Sequence, residues 1–257
     1  MYQQLRLEPY AVHTTFQYAG TEGKRHRLRE AMLFFDQPPY YDSPGGFLSF
    51  KPNIPKQLLL DGAHTIESHF QLVNYQMKQI RTALAMASLL KRTLVMPPLW
   101  CRLDRMWFGH PGVMEGTLTR QPFLCPMDHV FEVKESFLEV QLCDEHGTRC
   151  STANGTNEHR PLLLPRNSTE QKLLNVFYSY KNVKVIHFSS MVDAFRGFAD
   201  AAVETQFRNR VKRYTGIWCC VELREIGHIY YDMYWDEKPS WKPHPPLNRE
   251  EDHPPWS

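Results

Sequence analysis

Between Thr65 and Lys91, apolar side chains recur at Ile66, Phe70, Val73, Met77, Ile80, Leu84 and Ala87, at spacings of three and four. That spacing draws a single stripe down a long helix, with Thr65 placed to cap its first turn. Beyond Arg81 the sequence becomes apolar nearly all round, so that end is expected to be deeply buried. Thr93–Met96 then reads as a buried strand, stopped by Pro97-Pro98. A helix that delivers its chain directly into a buried strand is an αβ unit, and such units build parallel sheets. The order recurs later in the chain. Ser168-Thr169-Glu170-Gln171 fits a capping box that opens a helix through Tyr180, Val183–Phe188 reads as a strand, and another helix covers roughly 200–214. The expected fold class is α/β, with a mostly parallel sheet spread over residues 63–235.

The flanks of that body differ in character. Tyr10–Phe16 alternates apolar and polar and reads as a strand. A loop containing Gly20 and Gly23 follows, then a helix over Lys24–Phe35 with a basic first half. Residues 36–62 are rich in proline, glycine and aromatics. They read as a connector holding a domain boundary and one short strand candidate, Phe47–Phe50. Residues 236–257 form a proline-rich tail. The organisation expected is thus 1–35, 36–62, 63–235 and 236–257. Hydrophobic residues are 42% of the 257 and charged residues 23%, so a core can form. A net charge of +2 gives no bulk attraction for nucleic acid or an anionic membrane.

Six cysteines occur without a C-x-x-C pair, which argues against a zinc ribbon or a thioredoxin-like site. Cys143 and Cys150 flank CDEHGTRC and could close a small disulfide loop. Two glycosylation sequons, at Asn154 and Asn167, lie in polar sequence just after Cys150. Together these features point to a lumenal compartment. No apolar run approaches the roughly 20 residues of a membrane span, and MYQQLR has no signal-peptide character. Either the protein is cytosolic or its membrane anchor lies upstream.

Three groups of residues could carry chemistry. His13 precedes Gly20-Thr21-Glu22-Gly23-Lys24-Arg25. Glycines admit an anion close to the backbone, a helix start adds N–H donors, and Lys and Arg neutralise phosphate. A neutral histidine can ligate a divalent metal. The group suits the diphosphate end of a nucleotide-sugar site, or is a solvated basic helix start. Arg81, Arg92, Cys101, Arg102, Asp104 and Arg105 surround the end of the expected strand, where open α/β sheets bind ligands. They could hold an anion, or form an Asp104–Arg pair beside a structural cysteine. Asp232 and Asp236, among Tyr230, Tyr231, Tyr234 and Trp235, could be an acid/base pair beside a sugar-stacking surface, or an ordinary aromatic strand.

At YAVHTTFQYAGTEGKRHRLREA the chain resembles the plant arabinosyltransferases of glycosyltransferase family 77, of the type acting on extensins. The likeness continues through FDQPPYYDSPGGFLSFKP, LLLDGAHTIESHFQLVNYQMKQIRTALAMASLLKRTLVMPPLWCRLDRMWFGHPGVMEGTLTRQPFLCPMDHVFEV, VKVIHFSS, KRYTGIWCC and GHIYYDMYWDEKP, nearly the whole chain. The resemblance implies a Golgi membrane protein anchored upstream of this stretch, with its catalytic part in the lumen. It implies a UDP-arabinofuranose donor, Mn²⁺, and transfer to arabinosylated hydroxyproline of extensin-type glycoproteins. It also implies that residues 1–35 end a nucleotide-diphospho-sugar transferase domain. The family's aspartate-containing metal motif has no counterpart in this chain. Only His13, as a metal ligand, and Gly20, Gly23, Lys24 and Arg25, as diphosphate contacts, are carried over, and no catalytic residue is assigned. The chain also looks shortened after Val133. The alternatives are a noncatalytic glycan- or acceptor-binding module and an inactive truncated product. A shorter likeness, R-x-x-L-A-x-A-x-x-L-x-R-T-L-V-x-P from Arg81, is to the opening of protein O-fucosyltransferase folds and supports only the α/β architecture.

Overall fold

The computed structural model describes residues 11–13, 20–61, 66–102, 122–125, 127, 130–131, 164–211, 215–219, 227–231 and 233–237. Helix α1 spans Gly20–Glu30, and a 3-10 turn covers Pro38–Tyr41. Then come β1 (Phe47–Phe50), α2 (Lys56–Leu60), α3 (Ile66–Leu90), β2 (Thr93–Leu94), β3 (Leu99–Cys101) and β4 (Phe123–Cys125). The remainder comprises α4 (Glu170–Tyr178), β5 (Val185–Phe188), α5 (Ala201–Val211), β6 (Thr215–Cys219), β7 (Gly227–Tyr231) and a 3-10 turn at Trp235–Glu237.

Three strands form a parallel sheet in the order β2-β1-β5, with Phe47 opposite both Thr93 and Val185. Two antiparallel pairs, β3-β4 and β6-β7, stand apart from it. The α/β architecture with a mostly parallel sheet is borne out. Residues 36–62, read from composition as a connector, supply the middle strand of that sheet.

Helix α3 packs on β1, β2 and β3. Its Phe70, Val73, Met77 and Ile80 share one buried cluster with Leu48, Phe50, Leu94 and Ile186. Each such fully buried side chain contributes about 1.5–3 kcal/mol relative to exposure. The end of the helix is buried on several sides, through Ala83, Ala85, Met86 and Ala87, as its composition implies. Two buried glutamines on α3 treat extended backbone as a strand would. Gln76 accepts from the Trp100 amide and donates to the Trp100 carbonyl, at 2.9 Å each. Gln79 does the same to Asn53, at 3.0 and 3.1 Å. These bonds satisfy amides that burial would otherwise penalise.

The helix ends in a Schellman motif. Lys91 takes a left-handed φ of 53°, and the Arg92 amide reaches back to the Ala87 carbonyl. Its terminus sets the edge of the sheet. Gly45 lies so close that an added Cβ would sit 1.9 Å from the Lys91 carbonyl oxygen. Gly46, at φ +76°, would meet the Lys184 carbonyl at 2.6 Å.

Several boundaries differ from the sequence reading. α1 begins at Gly20, four residues ahead of the expected Lys24, and stops at Glu30 short of Phe35. Residues 11–13 carry no regular structure, and the rest of the strand expected over Tyr10–Phe16 lies outside the described residues, as does Thr65. The cap of α4 is Thr169, whose hydroxyl accepts from the Lys172 amide at 3.3 Å. The expected capping box does not form, because Ser168 is buried and donates instead to the Pro165 carbonyl.

Candidate functional site

The first candidate group is carried by α1. Gly20 and Gly23 sit in its first turn, not in the loop expected of them. The physical reason is that the first four amides of a helix make no intrahelical bond, so glycine costs less there than in a helix interior. Gly23 is buried, Lys24 half-buried and Arg25 exposed. Backbone amides and the basic Lys24 and Arg25 share the start of α1 with the acidic Glu22, and a helix start of this kind can face an anion. The far end of α1 is fixed. Arg29 makes a forked pair with Asp36 at 2.5 and 2.9 Å and lies 4.4 Å over the Tyr40 ring. Burial opposes the Arg29 charge, but the Asp36 bond and nearby charges outweigh it and raise its pKa. His13 is exposed, and no described hydrogen bond or ion pair joins it to α1.

The second group is dispersed into structural duties. Arg92 is buried and donates to the carbonyls of Phe47, Val183 and Tyr180, closing the edge where the sheet begins. Its burial lowers its pKa. Arg102, 2% exposed, donates to the Asp61 carbonyl at 2.7 Å. Cys101 is bonded to Cys125, with Cα atoms 5.7 Å apart, tying β3 to β4. Asp104, Arg105, Cys143 and Cys150 lie outside the described residues.

The described part of the third group forms a clasp; the pairing of Asp232 with Asp236 lies outside the described residues. Arg81 on α3 donates to both Asp236 oxygens, at 2.8 and 3.1 Å, and to the Met233 carbonyl at 2.6 Å. Its guanidinium lies 4.6 Å from the centre of the Tyr234 ring, and that of Arg208 on α5 lies 4.0 Å from it. Arg208 also pairs with Glu237 and Glu204, and these bonds outweigh its partial burial and raise its pKa. Burial, aided by Glu204, pushes the Tyr234 phenol up to about 12. Burial would likewise raise the Asp236 carboxyl, but Arg81 and Lys78 outweigh it and hold it below its usual range. Asp236 and Glu237, placed by composition at the start of the tail, therefore pin that segment to two helices. Asp232 lies outside the described residues.

One pair escaped the sequence reading. Ser49 and His187 face each other on β1 and β5, Oγ to Nδ1 at 3.0 Å. Only the pairing register brings them together, and no local motif announces it. Among the described residues no carboxylate orients the far nitrogen of His187, so the pair lacks the third member of a nucleophile relay.

No three His, Cys, Asp or Glu side chains gather among the described residues in a way that could hold a metal ion. The described residues alone therefore do not make up a Mn²⁺ site. Among the described residues no helix is long and apolar enough to cross a membrane.

Sequence comparison decides the relationship. The chain is 62% identical over 288 aligned residues to arabinosyltransferase XEG113 of Arabidopsis thaliana, a match covering 99% of this chain and 45% of that relative. The chain is thus similar to part of a plant protein named an arabinosyltransferase. This bears out the resemblance carried by YAVHTTFQYAGTEG and the strings after it. The chain spans less than half the length of that relative. The aligned stretch is also longer than this chain, so the relative carries internal sequence lacking here. No family model matches the chain, and no solved structure matches it.

Proposed function

We propose that the protein serves in transfer of arabinose from UDP-arabinofuranose to arabinosylated hydroxyproline on extensin-type wall glycoproteins, in the Golgi lumen. The observation that carries the reading is the 62% identity across 99% of the chain to a protein named an arabinosyltransferase. The buried Cys101–Cys125 bond suits an oxidising lumen.

In this reading the first turn of α1 faces the donor diphosphate. As the bond from the sugar's anomeric carbon to the diphosphate breaks, negative charge grows on the leaving oxygen. The amides of Gly20–Gly23 and the helix dipole stabilise that charge by roughly 0.3–1 kcal/mol. Lys24 and Arg25 add charge-assisted hydrogen bonds of about 1.5–3 kcal/mol each. His13 is the residue offered as one ligand of a Mn²⁺ ion that would share the diphosphate charge, its other ligands coming from outside the described residues.

The test is Lys24→Ala in the intact enzyme, assayed with UDP-arabinofuranose and an arabinosylated hydroxyproline peptide. The expected loss is about 10- to 100-fold in kcat/KM for the donor, following from one charge-assisted bond, with partial recovery in Lys24→Arg. Unchanged donor kinetics in Lys24→Ala would remove α1 from the site. His13→Ala is expected to shift the Mn²⁺ concentration needed for half-maximal rate, and an identical metal titration would strike His13 from the reading.

A further inference from the structure

The sequon Asn167-Ser168-Thr169 is positioned by the fold in an unusual way. Asn167 is exposed, on a left-handed residue with φ 52°. Its amide donates to the Asp193 carbonyl at 2.6 Å. Ser168 is 3% exposed, bridges in parallel to Phe195, and accepts the Arg196 amide at its carbonyl. The Thr169 hydroxyl is engaged as the cap of α4. An exposed asparagine has room for a bulky polar glycan. The two residues behind it, however, are locked into a turn, and a glycosyl-transferring enzyme must read the third residue's hydroxyl together with the asparagine amide.

We infer that Asn167 is an N-glycan acceptor modified before this turn closes, so that the hydroxyl that first serves the modification later caps α4. The inference rests on the lumenal reading above. In the reaction the Asn167 Nδ2 attacks the anomeric carbon of a lipid-linked oligosaccharyl diphosphate. An N–C bond forms, the bond from that carbon to the diphosphate oxygen breaks, the lipid diphosphate leaves with the electron pair, and an amide proton is released. Once folded, the chain presents the glycan outward beside the start of α4, where neither the core nor the sheet is disturbed. Asn154, the other sequon, lies outside the described residues.

The experiment expresses the full 257-residue chain behind a cleavable secretory leader in plant cells and follows the tryptic peptide Asn167–Lys172 by mass spectrometry, with and without enzymatic deglycosylation. Two variants separate the hydroxyl's roles. Thr169→Ser keeps both sequon and cap, and Thr169→Asp keeps a cap but destroys the sequon. Occupancy is expected in the parent chain and Thr169→Ser, and none in Thr169→Asp or Asn167→Gln. Recovery of the parent peptide wholly unmodified from secreted chain would overturn the site. Because the leader forces entry into the lumen, that failure would leave the native location untouched; protease protection of the native protein in sealed Golgi vesicles tests location separately. For the order of events, folded and oxidised unglycosylated chain is offered to an oligosaccharyltransferase beside reduced, unfolded chain. The folded form is expected to be modified at least about tenfold more slowly, since it must first open locally. Equal rates would overturn the ordering.

Discussion

Replacing Arg81 by methionine keeps the unbranched stem and removes the guanidinium. Arg81 is 13% exposed in its side chain and its partner Asp236 is 19% exposed, so both charges are largely withdrawn from water. Three bonds are lost, two to Asp236 and one to the Met233 carbonyl. The contact with the Tyr234 ring is lost as well. A charge-assisted bond contributes about 1.5–3 kcal/mol and a cation–π contact about 1 kcal/mol. Lys78, 3.6 Å from Asp236, remains to soften the loss. The expected cost is about 3 kcal/mol. Arg208→Met is the internal comparison. Its side chain is 38% exposed and that of Glu237 is 47% exposed, so solvent screens the pair, and with the Tyr234 contact included the expected cost is about 1–2 kcal/mol. Urea denaturation followed by far-ultraviolet circular dichroism, with a double-mutant cycle on Arg81→Met and Asp236→Asn, reads both. The cycle should give a coupling of about 1–2 kcal/mol. If Arg81→Met costs no more than Arg208→Met, burial does not govern the clasp and the reasoning fails.

Gly45→Ala should destabilise by more than about 2 kcal/mol, because the new methyl meets fixed backbone at Lys91; a melting temperature equal to the parent's would contradict this. The neutral Tyr234 phenol is favoured on folding, since its pKa of about 12 lies above the unfolded value near 10. Its contribution is therefore full below pH 10 and is lost as pH rises toward 12. Stability measured across that window should fall by about 2–3 kcal/mol in the parent chain and with a shallower slope in Tyr234→Phe. Reduction of Cys101–Cys125, or the paired serine variant, should cost about 3 kcal/mol for a loop of sequence separation 24. An unchanged denaturant midpoint would argue that the bond adds nothing.

The elements most legible in the sequence were those whose determinants are local. The three-and-four spacing of α3 and the run TLVM announce themselves within a few turns of chain. The middle position of β1 does not, because both its partners lie far downstream and four residues carry no record of which strands flank them. α1 begins ahead of the expected Lys24 because glycine, which reads as loop, carries only a small penalty at a helix start. The clasp was divided by sequence distance. Arg81 and Asp236 are 155 positions apart, and Arg208 was simply one of several basic residues on α5. The disulfide could not be chosen from six cysteines by spacing alone. Of the candidate site, Gly20, Gly23, Lys24 and Arg25 fall on one helix start because they are close together in sequence, whereas His13 lies apart from them in the chain.

The partnership of Ser49 with His187 spans 138 positions of chain, and the same span separates the two strands that carry them. On the ribosome, Phe47–Phe50 emerges long before anything able to hydrogen-bond its far side. For that interval an almost wholly apolar tetrapeptide, FLSF, waits with an open edge. Sheets built from such distant pieces are slow to assemble and exposed to off-pathway association meanwhile. Nascent chains cut just short of Val185 should therefore bind chaperones more strongly than chains extended past Phe188.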